Sequence, residues 1–287
     1  MTLLDAVRAA SERLDRAGVV FGHGTTNAWD EAAWLVLWRL GLPLDDLDDV
    51  AARELSVDEQ REVDALVERR IATRRPAAYL TGEAWLQGVP FTVDERVIVP
   101  RSLIAEVIAD GTLDAWLGET TTRVLDLCTG NGSLAVLAAM AWPEVVVDAA
   151  DLSAEALAVA RINVGRHGLV GRIALCQGDG LTAVGDRRYD LILCNPPYVD
   201  AQSMAALPPE YRAEPALALA GGADGMDFVR RLLRDAPAHL VDHGVLVLEI
   251  GHGREHFERA FPRLQPVWLP TSAGDDQVLL LERDALR

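Results

Sequence analysis

From about residue 121 onward, apolar runs alternate with helical segments. The runs cover 124–127, 145–150, 173–176, 191–194 and 245–250, and helical patterns open near Ser133, Ser153 and Gly225. Strands that are apolar on both faces and alternate with helices predict a parallel sheet covered on both sides. Two later runs, 267–269 and 278–281, have no helical pattern between them. They predict a hairpin that closes the sheet. The expected fold is α/β, with a doubly wound, mostly parallel sheet of seven strands.

The first part of the chain has another rhythm. Leu3, Leu4, Val7, Ala10 and Leu14 recur at helical spacing. Gly22-His23-Gly24-Thr25 breaks the pattern, and a second apolar helix opens at Asp30-Glu31 and closes at Gly41-Leu42-Pro43. Ser56-Val57-Asp58-Glu59 has the spacing of a capping box, followed by a charged helix that runs toward Pro76. Residues 77–101 differ again. Ala84-Trp85-Leu86, Gln87-Gly88 and Phe91-Thr92-Val93 predict a short hairpin. The expected division is a helical domain at 1–76, a hairpin connector at 77–101 and an α/β domain at 102–287.

Composition narrows the function. Half of the 287 residues are hydrophobic, which allows a sizeable core. No run of eighteen apolar residues and no signal-peptide pattern occurs, so a cytoplasmic protein without a membrane span is expected. Cys128, Cys176 and Cys194 form no CxxC pair and read as free thiols. The formal net charge of −17 opposes direct nucleic-acid binding and suits a basic partner or simple solubility.

The chemistry gathers at strand ends. The first strand runs into Cys128-Thr129-Gly130-Asn131-Gly132, a D-x-x-x-G-x-G pattern with Asp126. Glycines at such a turn let a ligand approach the backbone. There is no Walker lysine and no GxGxxG. The second strand ends at Asp151, where a carboxylate can accept ribose hydroxyls. Gln177-Gly178-Asp179 follows the third strand and Asn195-Pro196-Pro197-Tyr198 the fourth. Either feature alone is a common loop. Four such ends in chain order converge on the crevice where open α/β sheets bind ligands.

With those residues in view, 122–283 resembles the class I S-adenosylmethionine-dependent methyltransferases. Asn195-Pro196-Pro197-Tyr198 resembles the motif of enzymes that methylate a planar amide or amino nitrogen. The stretch 77–102 resembles the protein N5-glutamine methyltransferases. Within them, 21–32 and 100–108 are similar to the branch acting on large-subunit ribosomal protein three. The release-factor branch more typically reads Pro-Arg-Pro-Glu-Thr where this chain has Pro-Arg-Ser-Leu-Ile at 100–104. Leu103 stands where the preferred branch usually has proline.

The resemblance implies S-adenosylmethionine as cofactor and S-adenosylhomocysteine as product. The implied cofactor residues are Cys128, Thr129, Gly130, Asn131, Gly132, Asp151, Asp179 and Asn195, with no metal. The implied substrate site is Asn195, Pro196, Pro197 and Tyr198. An amide nitrogen is a poor nucleophile because its lone pair is delocalised. The Asn195 oxygen and the Pro196 carbonyl can accept its two hydrogens and aim the nitrogen. Pro197 stiffens the loop, and Tyr198 is expected to pack on the amide. The implied partner is a basic ribosomal protein, with peptide release factors as the alternative. Two rivals remain. A DNA adenine methyltransferase uses the same motif on an exocyclic amine, which the acidic charge opposes. A non-enzymatic ribosome assembly factor would keep a vestigial site, which intact Asn195 and Asp151 oppose.

Three other features read as structural. His252, Glu255 and His256 have the inverted zinc-protease order, but Gly251 and Gly253 argue against the helix it needs. Gly22–Thr25 reads as a helix-capping turn or a substrate contact. Trp34, Trp38 and Trp116 read as packing residues, and Asp126 as a support for the glycine turn.

Overall fold

The computed structural model describes residues 1–118 and 120–286. The chain divides into two compact units. One is Met1–Ala84 with Leu207–Ala213, and the other is Trp85–Ala206 with Glu214–Arg287.

The first unit is helical. Its helices span Leu3–Arg16, Ala28–Arg39, Leu47–Val50, Val57–Thr73, Ala77–Thr81 and, from the later segment, Pro209–Arg212. Ser56 and Glu59 form the expected capping box, with the Glu59 amide donating to Ser56 Oγ at 3.2 Å. Such a cap is worth about 1 kcal/mol. Thr2 and Asp5 make another at the first helix. Asn27 caps the second helix, so Gly22–Thr25 is not its cap. Leu3, Val7, Leu14, Ala32, Val36 and Val67 fill the core. Trp34 is buried, whereas Trp38 is half-buried.

The chain passes from the first unit to the second within β1 (Glu83–Leu86), which pairs with β2 (Val89–Thr92) in a two-stranded sheet at the expected hairpin. Seven strands follow: β3 (Arg123–Leu127), β4 (Val146–Asp151), β5 (Ile173–Gln177), β6 (Tyr189–Cys194), β7 (Leu240–Glu249), β8 (Val267–Thr271) and β9 (Gly274–Glu282). Their order is β5-β4-β3-β6-β7-β9-β8. β3 to β7 run parallel, and β9 is antiparallel to both β7 and β8. Alternate residues enter opposite cores. Val124, Leu191, Leu193 and Val247 pack on one face. Leu125, Leu127, Ile192 and Leu248 pack on the other. Both faces are covered, which is why the strands read as unbroken apolar runs.

One expectation fails here. A helix does form at Arg254–Ala260, because Gly253 caps it and Gly251 precedes it. His252 lies in the turn before that helix, and His256 Nδ1 bonds the Asp224 carbonyl at 2.8 Å. No metal-binding cluster occurs among the described residues. Among them too, no helix is long and apolar enough to cross a membrane.

Candidate active site

The strand order reverses between β3 and β6, whose Leu127 and Cys194 are paired at their carboxyl ends. Such a reversal opens the crevice where ligands bind in an open α/β sheet. Cys128 and Asn195 are therefore brought together by register alone, although 67 residues apart.

The turn after β3 is held from below. Cys128, Gly130 and Gly132 all take positive φ angles of 62°, 56° and 82°. Asp126 accepts from the Thr129 hydroxyl and from the Ala135 amide, the latter at 2.9 Å. Burial pushes its carboxyl up to about 7, against the pull of those bonds. Asp126 thus supports the turn, as its place in the pattern predicts. Asn163 Nδ2 donates to the Asn131 carbonyl at 2.9 Å and ties the turn from another side. Asn131 Oδ1 accepts from the Ser133 amide at 3.2 Å, while its buried Nδ2 has no partner among the described residues.

Asp151 ends β4. Its Oδ2 accepts from the Gly130 amide at 2.9 Å and its Oδ1 from the Ser153 amide at 2.8 Å. Burial raises its pKa, opposed by these backbone bonds. A carboxylate offers about four lone-pair sites, so two remain for a ligand. Asp179 follows β5 and is exposed, with Oδ2 2.8 Å from Arg231.

These groups line one cavity of about 480 Å³, within the roughly 300–1,000 Å³ range of small-molecule sites. Its wall includes Cys128, Thr129, Gly130, Asn131, Asp151, Asp179, Asn195 and Pro197. Leu152 and Phe228 add apolar surface, and the strap 215–222 contributes Leu217, itself 57% exposed. An open carboxylate, an unpaired amide donor and apolar flanks suit a nucleoside with a charged tail. Asn195 makes no side-chain hydrogen bond to a described residue, so its amide is open to a ligand.

Three expected residues stand off this wall. Gly132 is buried where a Cβ would lie 3.2 Å from Ala160 Cβ, so its missing side chain admits the helix Ala154–Arg166. Pro196 is buried. Tyr198, which the sequence suggested would pack on the target amide, is not on this wall and turns its hydroxyl to Glu249 at 3.3 Å. Its phenol is raised by burial, then by the Glu249 charge.

The Methyltransferase small domain model matches residues 111–207, and the PrmC N-terminal domain model matches residues 5–82. A Bordetella pertussis ribosomal protein uL3 glutamine methyltransferase is 57% identical over 99% of this chain and 96% of its own. Its Burkholderia pseudomallei counterpart is 53% identical over 99% and 95%. The chain belongs to the ribosomal protein uL3 glutamine methyltransferase family. As a member of that family it is a methyltransferase, an enzyme. Among solved structures, the hMettl16 catalytic domain in complex with MAT2A 3′UTR hairpin 6 shares the fold. Its TM-score is 0.53 at 14% identity, covering 79% of this chain and 81% of that one.

This uL3 glutamine methyltransferase family member also uses residues that its sequence pattern did not mark. Leu152 and Phe228 flank the cavity. Arg101 grips Glu214 with both terminal nitrogens, at 2.6 and 2.7 Å, and so fixes the start of the strap. Glu249 is buried behind Tyr198. The signal available for Glu249 was a carboxylate at the carboxyl end of a predicted strand, the same signal that marked Asp151.

Proposed function

We propose that this chain transfers a methyl group from S-adenosylmethionine to the side-chain amide nitrogen of a glutamine in large-subunit ribosomal protein uL3. The carrying observation is that Asn195 shares one cavity wall with Asp151, Asn131 and the turn after β3. S-adenosylmethionine would supply an electrophilic methyl group on a sulfonium. Asp151 would accept its ribose hydroxyls, Asn131 Nδ2 would donate to its polar tail, and Leu152 and Phe228 would flank its base. Asn195 Oδ1 would accept one hydrogen of the target amide and the Pro196 carbonyl the other. With both hydrogens held, the nitrogen presents its π face across the cavity, and its proton leaves after transfer. Preorganised acceptors act here without reorganisation in a site that excludes water. Pro196 and Pro197 keep that geometry rigid at little entropic cost.

The helical unit would recognise the substrate protein. Its separate core and its match to an N-terminal domain model support that division of labour. The charge of −17 would steer a basic ribosomal protein toward the enzyme in the cytoplasm, with no direct nucleic-acid contact. The test offers labelled cofactor with uL3, a peptide release factor or DNA. Label on one glutamine of uL3 is the expected result. Label confined to the release factor or to DNA would overturn the assignment.

A further inference from the structure

We infer that Glu249 is a positioning residue for methyl transfer, acting through Tyr198 on the Asn195 loop. The inference rests on the glutamine-methylation reading of Asn195. Glu249 is the last residue of β7 and 3% exposed. Its Oε2 accepts from Ser102 Oγ at 2.6 Å and from the Leu103 amide at 2.9 Å. Its Oε1 accepts from the Tyr198 hydroxyl at 3.3 Å. One carboxylate therefore joins two parts of the cavity surround. Arg101 and Ser102 line the cavity on one side, and Tyr198 ends the loop that carries Asn195 and Pro197 on the other.

Tyr198 is closely packed on its backbone and on one edge of its ring. A Cβ on Gly251 would lie 2.6 Å from the ring, and Cβ atoms on Gly221 and Gly225 would lie 2.7 and 2.3 Å from its backbone. The next residue is pinned as well. The Val199 amide donates to the Leu219 carbonyl and the Gly221 amide to the Val199 carbonyl, each at 2.8 Å. The Asn195 loop is thus fixed upstream by β6 and downstream by Tyr198 and Val199. Burying a carboxylate costs several kcal/mol unless its lone pairs are met. Burial raises the Glu249 pKa, and the bonds from Ser102, Leu103 and Tyr198 oppose that rise. A methionine of similar volume would fill the space without that cost but could not direct a hydroxyl.

The length of the phenol bond decides which effect to expect. At 3.3 Å it is long for O–H···O, so it adds little stability. Its contribution is direction, and a misplacement of about 1 Å can cost about 10²-fold in rate. The test uses the full chain as Tyr198→Phe, Glu249→Gln and the double variant. Single-turnover methyl transfer to uL3, cofactor affinity and melting temperature are measured on each. Tyr198→Phe should fold as wild type, bind cofactor as wild type and transfer roughly tenfold more slowly. The double variant should be no slower than the slower single one, because both break one link.

A second readout needs no substrate. The chain has four asparagines, Asn27, Asn131, Asn163 and Asn195. Asparagine-selective ¹⁵N labelling gives four side-chain amide pairs. Tyr198→Phe should move the Asn195 pair and leave the Asn27 pair in place. An unmoved Asn195 pair, or wild-type transfer by Tyr198→Phe, overturns the inference. So does a rate loss in Glu249→Gln that simply adds to that of Tyr198→Phe. If wild type methylates no glutamine in uL3, the functional reading falls, and the Asn195 signal still decides whether Glu249 positions the loop.

Discussion

Both units bury carboxylates against arginines, as at Glu31 and Glu210 in one and at Asp148 and Glu214 in the other, but only the second also buries carboxylates that no arginine meets among the described residues. In the helical unit, Glu31 Oε1 lies 2.8 Å from Arg70 Nε, and Glu210 Oε1 lies 3.0 Å from Arg74 Nε and 3.6 Å from Arg70 Nη1. Arg70, Glu31 and Glu210 are all essentially without exposure. The methyltransferase unit buries Asp126 and Glu249, and half-buries Asp151, with no ion-pair partner for any of them among the described residues. Hydroxyls and backbone N–H groups hold these three instead. An arginine neutralises a carboxylate's charge, although Glu210 Oε2 has no hydrogen-bond partner among the described residues. Backbone amides fix a carboxylate in place and leave lone pairs open. The first arrangement holds a segment of chain, here Leu207–Ala213, in its unit. The second suits an oxygen that must meet a ligand or aim a neighbour.

The sharpest way to break the comparison is to remove a cation. Arg70→Met should destabilise the protein by about 3–5 kcal/mol, because it leaves Glu31 buried without its cation, while Glu210 keeps Arg74. Denaturant titration should find that loss, while cofactor affinity of the folded protein stays unchanged. A loss under ~1 kcal/mol would show that the pairs were never essential to the helical core.

Asn195→Ala comes next. It should lower single-turnover transfer by roughly 10²–10³, the scale for one preorganised polar group. Melting temperature should hold, since the side chain bonds no described residue, and cofactor affinity should survive largely intact, since the implied contacts at 128–131, Asp151 and Asp179 remain. Transfer at the wild-type rate would sink the amide clamp.

A smaller effect is expected at Asp151. Asp151→Ala should weaken cofactor binding by about 1.5–3 kcal/mol, read by calorimetry. Equal affinity in variant and wild type would remove its open lone pairs from the site.

The smallest concerns pH. Burial raises the Asp126 carboxyl from 3.8 to about 7 in the folded state. The folded state therefore binds a proton that the unfolded state has lost across that window. Its stabilising contribution is complete below about pH 4 and declines as pH rises toward 7. The melting temperature of wild type should fall more over that range than that of Asp126→Asn. Parallel curves would mean that Asp126 stays ionised under the turn.

Much of this was legible in the sequence because the signals are local. Periodicity marked seven strands, since both sheet faces are buried and side chains alternate between two apolar layers. Ser56 and Glu59 announced a helix start three residues apart. Strand ends at Cys128, Asp151, Asp179 and Asn195 marked the crevice, because a parallel sheet brings its carboxyl ends to one side. A glycine that admits a ligand and one that admits a helix look alike in one dimension, and only the fold places Ala160 beside Gly132.

What the sequence determined alone was the set of elements and the edge of the sheet where the chemistry lies. Tertiary structure decided the rest. Leu207–Ala213 joins the helical unit, although it follows four strands of the sheet. Ser102 reaches Glu249 across 147 positions and Arg101 reaches Glu214 across 113. No local propensity encodes such pairs, because chain topology sets which residues become neighbours. Tyr198 could face the target amide or Glu249, and its own sequence context allows both. The missing side chain at Gly251 leaves room for the ring, while Gly221 and Gly225 let the strap approach the Tyr198 backbone.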